Sequence, residues 1–192
     1  MRRQLAIAAA SFIAVIGLAA CDTEVTSSPD KPAAADDAKP GKEADKAEQA
    51  EDKETVAKVG DAITLKGFDG EKVEVTVVKV VDPAKSKDEF MAPDDGNRWL
   101  GIQFQLVNKG DKAYQDSPTN GMQVADADGQ MFQTTFGEIT AGPALSSDVR
   151  LAPGAKALGW VTFDVPKNVK VSQLQVALNS GMADHTGQWT LQ

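Results

Sequence analysis

His185 is the only histidine in this 192-residue chain. A Ser-His-acid triad would have to use it, yet no serine sits in a G-x-S-x-G elbow that would present a nucleophile. The stretch Gly181-Met182-Ala183-Asp184-His185-Thr186-Gly187 reads instead as a glycine-flanked turn. Zinc chemistry is poorly supplied, because one histidine and no cysteine beyond Cys21 leave only carboxylates. Asp126-Ala127-Asp128-Gly129 opens like a calcium loop, but the twelfth position is Gly137 and Glu138 falls one residue late. A hairpin turn explains the same four residues without an ion, so Asp126 and Asp128 are weak calcium candidates. Asp94-Asp95-Gly96 is weaker still. Trp99 and Trp160 each fall opposite the main apolar side of an alternating segment. If that side faces solvent, they form a binding surface. If loops cover it, they pack, which is the simpler reading. No catalytic residue, no resident metal and no cofactor is expected.

The remaining reactive side chain is Cys21. Arg2 and Arg3 precede an apolar run from Leu5 to Gly17, and Leu18-Ala19-Ala20 lead to the cysteine. This is the layout of a cleaved secretory signal over residues 1–20. The run from Leu5 to Ala20 is shorter than the roughly 17–25 apolar residues of a spanning helix. Leu18-Ala19-Ala20-Cys21 resembles the bacterial lipobox. The resemblance implies acylation of the Cys21 thiol and cleavage just before it, with two or three acyl chains giving stable anchoring. Ordinary cleavage that leaves a free thiol, or an uncleaved anchor, are the alternatives. Asp22 directly follows, a residue type associated with retention at the inner membrane where two membranes exist. The expected location is therefore the extracytoplasmic face of the cytoplasmic membrane.

Residues 22–54 lack aromatic side chains and hold one large apolar residue, Val25. They carry five Lys against eleven Asp or Glu. Such a segment cannot offset its chain entropy, so 21–54 reads as a lipidated cysteine followed by a disordered acidic spacer. A chain of this length spans on the order of 30 Å root-mean-square. Of the net charge of −8, the spacer holds −6 and residues 55–192 hold −4, with +2 on Arg2 and Arg3. A mildly acidic domain is a poor partner for nucleic acid, which demands clustered Lys and Arg. The lone cysteine also rules out an internal disulfide, so the domain must rest on its core.

From Thr55 onward the period is two. Short strands are expected at Thr55–Val59 and Ala62–Leu65, then a Val-rich strand at Val73–Val77 with a bulge near the Val77-Val78 doublet. Residues 82–97 read as a long loop. Trp99–Val107 is the strongest strand, with Leu100, Ile102, Phe104 and Leu106 on one side. Met122–Ala125 and Gln130–Phe136 read as a hairpin. Ala157–Val165, Val169–Leu178 and Gln188–Leu191 complete the set, with Pro166 stopping the first of them. No segment shows a helical period. Residues 55–192 therefore read as an all-β, antiparallel, immunoglobulin-like β-sandwich of seven to nine strands.

The stretches Gln105-Leu106-Val107-Asn108-Lys109-Gly110, Leu151-Ala152-Pro153-Gly154 and Phe163-Asp164-Val165-Pro166 resemble the DUF4352 family of bacterial extracytoplasmic immunoglobulin-like domains, with an MPT63-like fold. The resemblance covers about 55–192. It implies a fold and a lipobox-plus-spacer arrangement, but no activity. The expectation is a non-enzymatic module that binds a protein or envelope component. A small-molecule or ion-binding lipoprotein accessory to a transporter or sensor is the alternative.

Overall fold

The structure, a computed structural model, describes residues 25–26 and 56–191. The signal segment, Cys21 and all of the spacer except Val25 and Thr26 lie outside the described residues. Twelve strands are described. They are β1 (Val25–Thr26), β2 (Ala57–Lys58), β3 (Ala62–Lys66), β4 (Lys72–Ala84), β5 (Asn97–Asn108) and β6 (Tyr114–Asp116), followed by β7 (Met122–Asp126), β8 (Met131–Thr135), β9 (Val149–Leu151), β10 (Lys156–Pro166), β11 (Val171–Ala177) and β12 (Thr186–Thr190). The number exceeds nine because β1, β2, β6 and β9 are only two or three residues long.

Hydrogen bonding runs through ten strands in the order β1-β3-β4-β5-β10-β8-β7-β11-β12-β2, and β6 pairs with β9 apart from them. The long order folds into two layers. β8 is the corner strand: it pairs with β10 through Thr134 and Thr135, and with β7 through Met131 to Gln133. The result is a β-sandwich. All pairings are antiparallel except β12 with β2, which run parallel. The two opening strands do not pair with each other. After the turn at Gly60, whose φ of 101° favours glycine, β2 joins the layer of β12 while β3 joins β4.

Alternation decides the core. On β5, Leu100, Ile102, Phe104 and Leu106 point inward beside Val73, Val75 and Val77 of β4 and Val161, Phe163 and Val165 of β10. Met122, Val124, Leu174, Val176 and Trp189 face them from the other layer. Burying each such side chain contributes about 1.5–3 kcal/mol. The register of β4 against β5 slips between Val77 and Lys79, a bulge at the doublet where the valine phase shifts.

Three expectations change. β4 does not end at Val81 but runs on through Asp82 and Pro83 to Ala84, so the loop is confined to residues 85–96. An ion pair explains the extension. Arg98 of β5 donates Nε and Nη2 to the two carboxylate oxygens of Asp82, at 2.6 and 2.8 Å, and Nη1 to the Pro166 carbonyl. Secondly, Val25 and Thr26, within the expected spacer, pair antiparallel with Ile63 and Ala62 at the outer edge of β3. An edge strand offers unpaired N–H and C=O groups, and a Val-Thr dipeptide can take them.

The third is a correction to the candidate surface at Trp99 and Trp160. Both lie on the outer side of their layer, as the alternation indicates, but neither is exposed: Trp99 is 2% and Trp160 5% accessible. With Ala84, Val81 and Ile139 they form a second, smaller core. Residues 138–145 fold over them. Thr140 and Lys85 bond through the backbone, as do Lys87 and Glu138, and Leu145 N donates to the Trp160 carbonyl. Glycine makes the close approach feasible: a Cβ on Gly137 would sit 2.7 Å from the Trp99 ring.

Candidate functional site

The loop that buries the tryptophans also builds a cleft. Where β8 leaves β10 after Thr135, the chain continues through Phe136 and Gly137 into the covering loop. Thr162 Oγ1 donates to the Gly137 carbonyl at 2.7 Å and fixes that departure. The two strands diverge around an opening of about 700 Å³. Its floor includes Trp160, Val161 and Thr162, and its walls Leu145, Thr135, Phe136 and Met91. A volume of this size lies within the range of ligand sites.

Phe136 is 91% exposed at the lip, and Met91, from the 85–96 loop, stands half-exposed at the same opening. Phe90 beside it is also exposed. Large apolar side chains held at the mouth of a cleft cost solvation and return nothing to the fold. The polar groups of the lining are mostly neutral hydroxyls: Ser117, Thr119, Thr134, Thr135, Ser147 and Thr162. The two acids at the rim are engaged, Glu138 with Lys87 at 2.8 Å and Asp148 with Arg150 at 3.2 Å. Such a cleft can enclose an apolar or aromatic group. It offers no histidine for proton transfer.

The other candidates are dispersed. Asp126 Oδ1 accepts the backbone N–H groups of Asp128 and Gln130, at 3.0 and 2.9 Å, and so closes the β7–β8 hairpin. Among the described residues no three His, Cys, Asp or Glu gather around one point. His185 follows the turn at residues 181–184, as the glycine-flanked stretch suggests, and is buried just before β12. It is 8% accessible, and its Nδ1 accepts the Lys66 N–H at 3.0 Å. Burial, then the nearby Lys66 charge, lowers its pKa from 6.5. Cys21 lies outside the described residues.

Residues 114–116 and 179–181 form a further polar cluster. Tyr114 Oη donates to Asp116 Oδ2 at 2.9 Å, and Ser180 Oγ to Asp116 Oδ1 at 3.0 Å. Burial and the Asp116 charge push the Tyr114 phenol far above its usual range, so it stays a hydrogen-bond donor. Asn179 and Ser180 both adopt positive φ, near 55°. Asn179 Oδ1 accepts the Phe68 N–H, and its amide reaches Glu71, which braces the bend against the β3–β4 turn.

The composition missed the cleft because its key residue looks ordinary. Phe136 follows Met131 and Phe132 and reads as one more strand residue, whereas it emerges where the strand has ended. The adjacent Gly137 was the available signal.

A two-layer antiparallel sandwich with short strands, a corner strand and a loop-covered outer face defines the class: an extended β-sandwich domain. Residues 66–186 match the model of a domain of unknown function, DUF4352, and the chain belongs to that family. Solved structures share the fold. The protein ycdA of Bacillus subtilis, described as a candidate lipoprotein, aligns with a TM-score of 0.52 at 14% identity over 70% of this chain. This chain spans only 38% of its length. The yjhA protein of the same organism aligns with a TM-score of 0.51 at 19% identity, over 71% of this chain and all of its own. The secreted protein MPT63 of Mycobacterium tuberculosis gives 0.49 at 18% identity, over 70% and 95%. Among curated proteins, none matches the sequence.

Proposed function

We propose that this chain is a lipid-anchored extracytoplasmic lipoprotein whose sandwich binds an apolar segment of a partner protein at the Phe136 cleft, without catalysing a reaction. The observation that carries this is Phe136, 91% exposed at the mouth of a 700 Å³ cleft that it shares with Met91. Exposed aromatics beside well-packed pockets are the usual anchors of protein interfaces. The signal layout ending at Cys21 supports delivery to the outer face of the cytoplasmic membrane, and ycdA is described as a candidate lipoprotein. The only histidine is committed to the Lys66 backbone, away from the cleft, which supports a binding role over hydrolysis.

The test uses a photo-crosslinking phenylalanine at position 136 in cells. The expected result is one dominant protein adduct, absent when Met91→Asp is added. A labelled lipid or solvent-quenched product only, with no protein adduct, would reject the partner-protein reading. Cys21→Ala should release the chain from membranes. If it remains bound after a high-salt wash, the lipid anchor is wrong. The cleft volume also suits a small molecule, the second reading. A low-mass compound that co-purifies and is lost with Phe136→Asp would favour it.

A further inference from the structure

The outer face of the second layer carries glutamines in register across four strands. Gln188 of β12 stands opposite Gln175 of β11, Gln175 opposite Gln123 of β7, and Gln123 opposite Gln133 of β8. Directly opposed residues share a face. Their strand neighbours Trp189, Leu174 and Val124 fill the core, so the four amides point away from it. At about 4.8 Å between strands the row is roughly 14 Å long. The next row holds Thr190, Gln173, Ala125 and Met131, and Thr186 and Ala177 lie on the other side.

None of these positions is ionisable; the charge bordering the face is Lys58 of β2, which lies opposite Thr190 at the edge of the second row and outside the glutamine row. The outer faces of antiparallel sheets are commonly polar, so polarity alone says little. The lack of charge is the unusual feature, in a chain where Asp, Glu, Lys and Arg make up 25% of residues. The other layer shows the contrast, with Lys72, Glu74 and Lys79 on the outer side of β4. Gln188 Nε2 donates to Gln173 Oε1 at 3.3 Å. Among the described residues, the side-chain amides of Gln123, Gln133 and Gln175 engage no protein group. Beside the two central glutamines, toward Ala177 and Thr186, a polar pocket of about 210 Å³ opens between Asn120, Gln123, Gln175, Ser180 and Thr186.

Each amide offers two donors and an acceptor. A partner able to use them must itself both donate and accept. An ionic partner would lose hydration here and meet no opposite charge, and an apolar one would leave the amides unsatisfied. We propose that this face binds an uncharged, hydroxyl-rich glycan chain laid along the glutamine row, with one sugar unit in the Asn120–Thr186 pocket. The site is separate from the Phe136 cleft and does not depend on it.

Affinity electrophoresis of the intact chain tests the proposal, in gels containing hydroxyethylcellulose, dextran or glycol chitin. At least one of these neutral polymers is expected to retard the protein. Gln123→Glu with Gln175→Glu, and separately both to Ala, should weaken binding at least tenfold at unchanged melting temperature. Phe136→Asp should leave it intact. No retardation by any neutral polymer would overturn the proposal. So would retardation that survives both double variants, or that Phe136→Asp abolishes.

Discussion

The imidazole Nδ1 of His185 accepts the backbone N–H of Lys66 at 3.0 Å, so one side chain joins β3 of the first layer to the approach of β12 in the second. Folding holds His185 below its ordinary 6.5, first through burial and then through the Lys66 charge. The unfolded chain therefore takes up the proton before the native one does. Stability is complete above pH 6.5 and falls as the pH drops through it. The expected outcome is a melting temperature that declines between pH 7 and 5.5. His185→Asn, which can keep an acceptor near the Lys66 amide, should flatten that decline. A wild-type melting temperature constant over this range would contradict the argument.

Asn108 is 1% accessible and its side chain makes three hydrogen bonds. Its Nδ2 donates to the carbonyls of Lys112 and Leu151, at 2.7 and 2.9 Å, and its Oδ1 accepts the Gly110 N–H at 2.9 Å. Asn108→Ala should cost about 3 kcal/mol by leaving buried backbone groups unpaired. Asn108→Asp should be worse, since a carboxylate would face two carbonyl oxygens. Urea unfolding measures both, and a cost under about 1 kcal/mol for alanine would remove the pin from the account.

Gly137→Ala should strain the covered tryptophan. The added Cβ would lie 2.7 Å from Trp99, which has no free side to move into. Overpacking of this kind costs about 1–3 kcal/mol. Tryptophan emission should shift as the loop lifts and the ring meets water. Unchanged emission together with unchanged stability would show that the loop yields freely.

Arg98→Lys should cost about 1 kcal/mol, because an ammonium cannot reproduce the two-pronged contact with Asp82. Asp82→Asn should cost a similar amount. The double variant should cost less than the two singles added together, which denaturation midpoints would resolve.

The sandwich was legible because alternation needs only one side of each strand to be buried. Leu100, Ile102, Phe104 and Leu106 announced β5, and the valine doublet announced its bulge. Trp99 and Trp160 show the limit. Period two places them on the outer side correctly, but whether that side is wet depends on residues 138–145, which lie 39–46 positions after Trp99 and 15–22 before Trp160. Phe136 was missed for the same reason, since the cleft exists only once that loop has crossed. The glutamine row is a matter of register between four strands, and no single segment carries register. β1 was illegible because two residues leave no periodicity to count.

The pairing of Val25 with Ile63 changes what the acidic segment can do. Only three residues lie between Cys21 and Val25, a reach of roughly 13 Å when extended. With a lipid on Cys21, the β3 edge would be moored almost against the headgroups, and the length of 27–55 would no longer set the altitude of the domain. Deleting ten residues from that stretch should leave the distance from lipid to sandwich unchanged by fluorescence transfer. Val25→Pro with Thr26→Pro should let the domain rise. The segment would then act as a mooring line whose slack is hidden until the knot at β3 is untied.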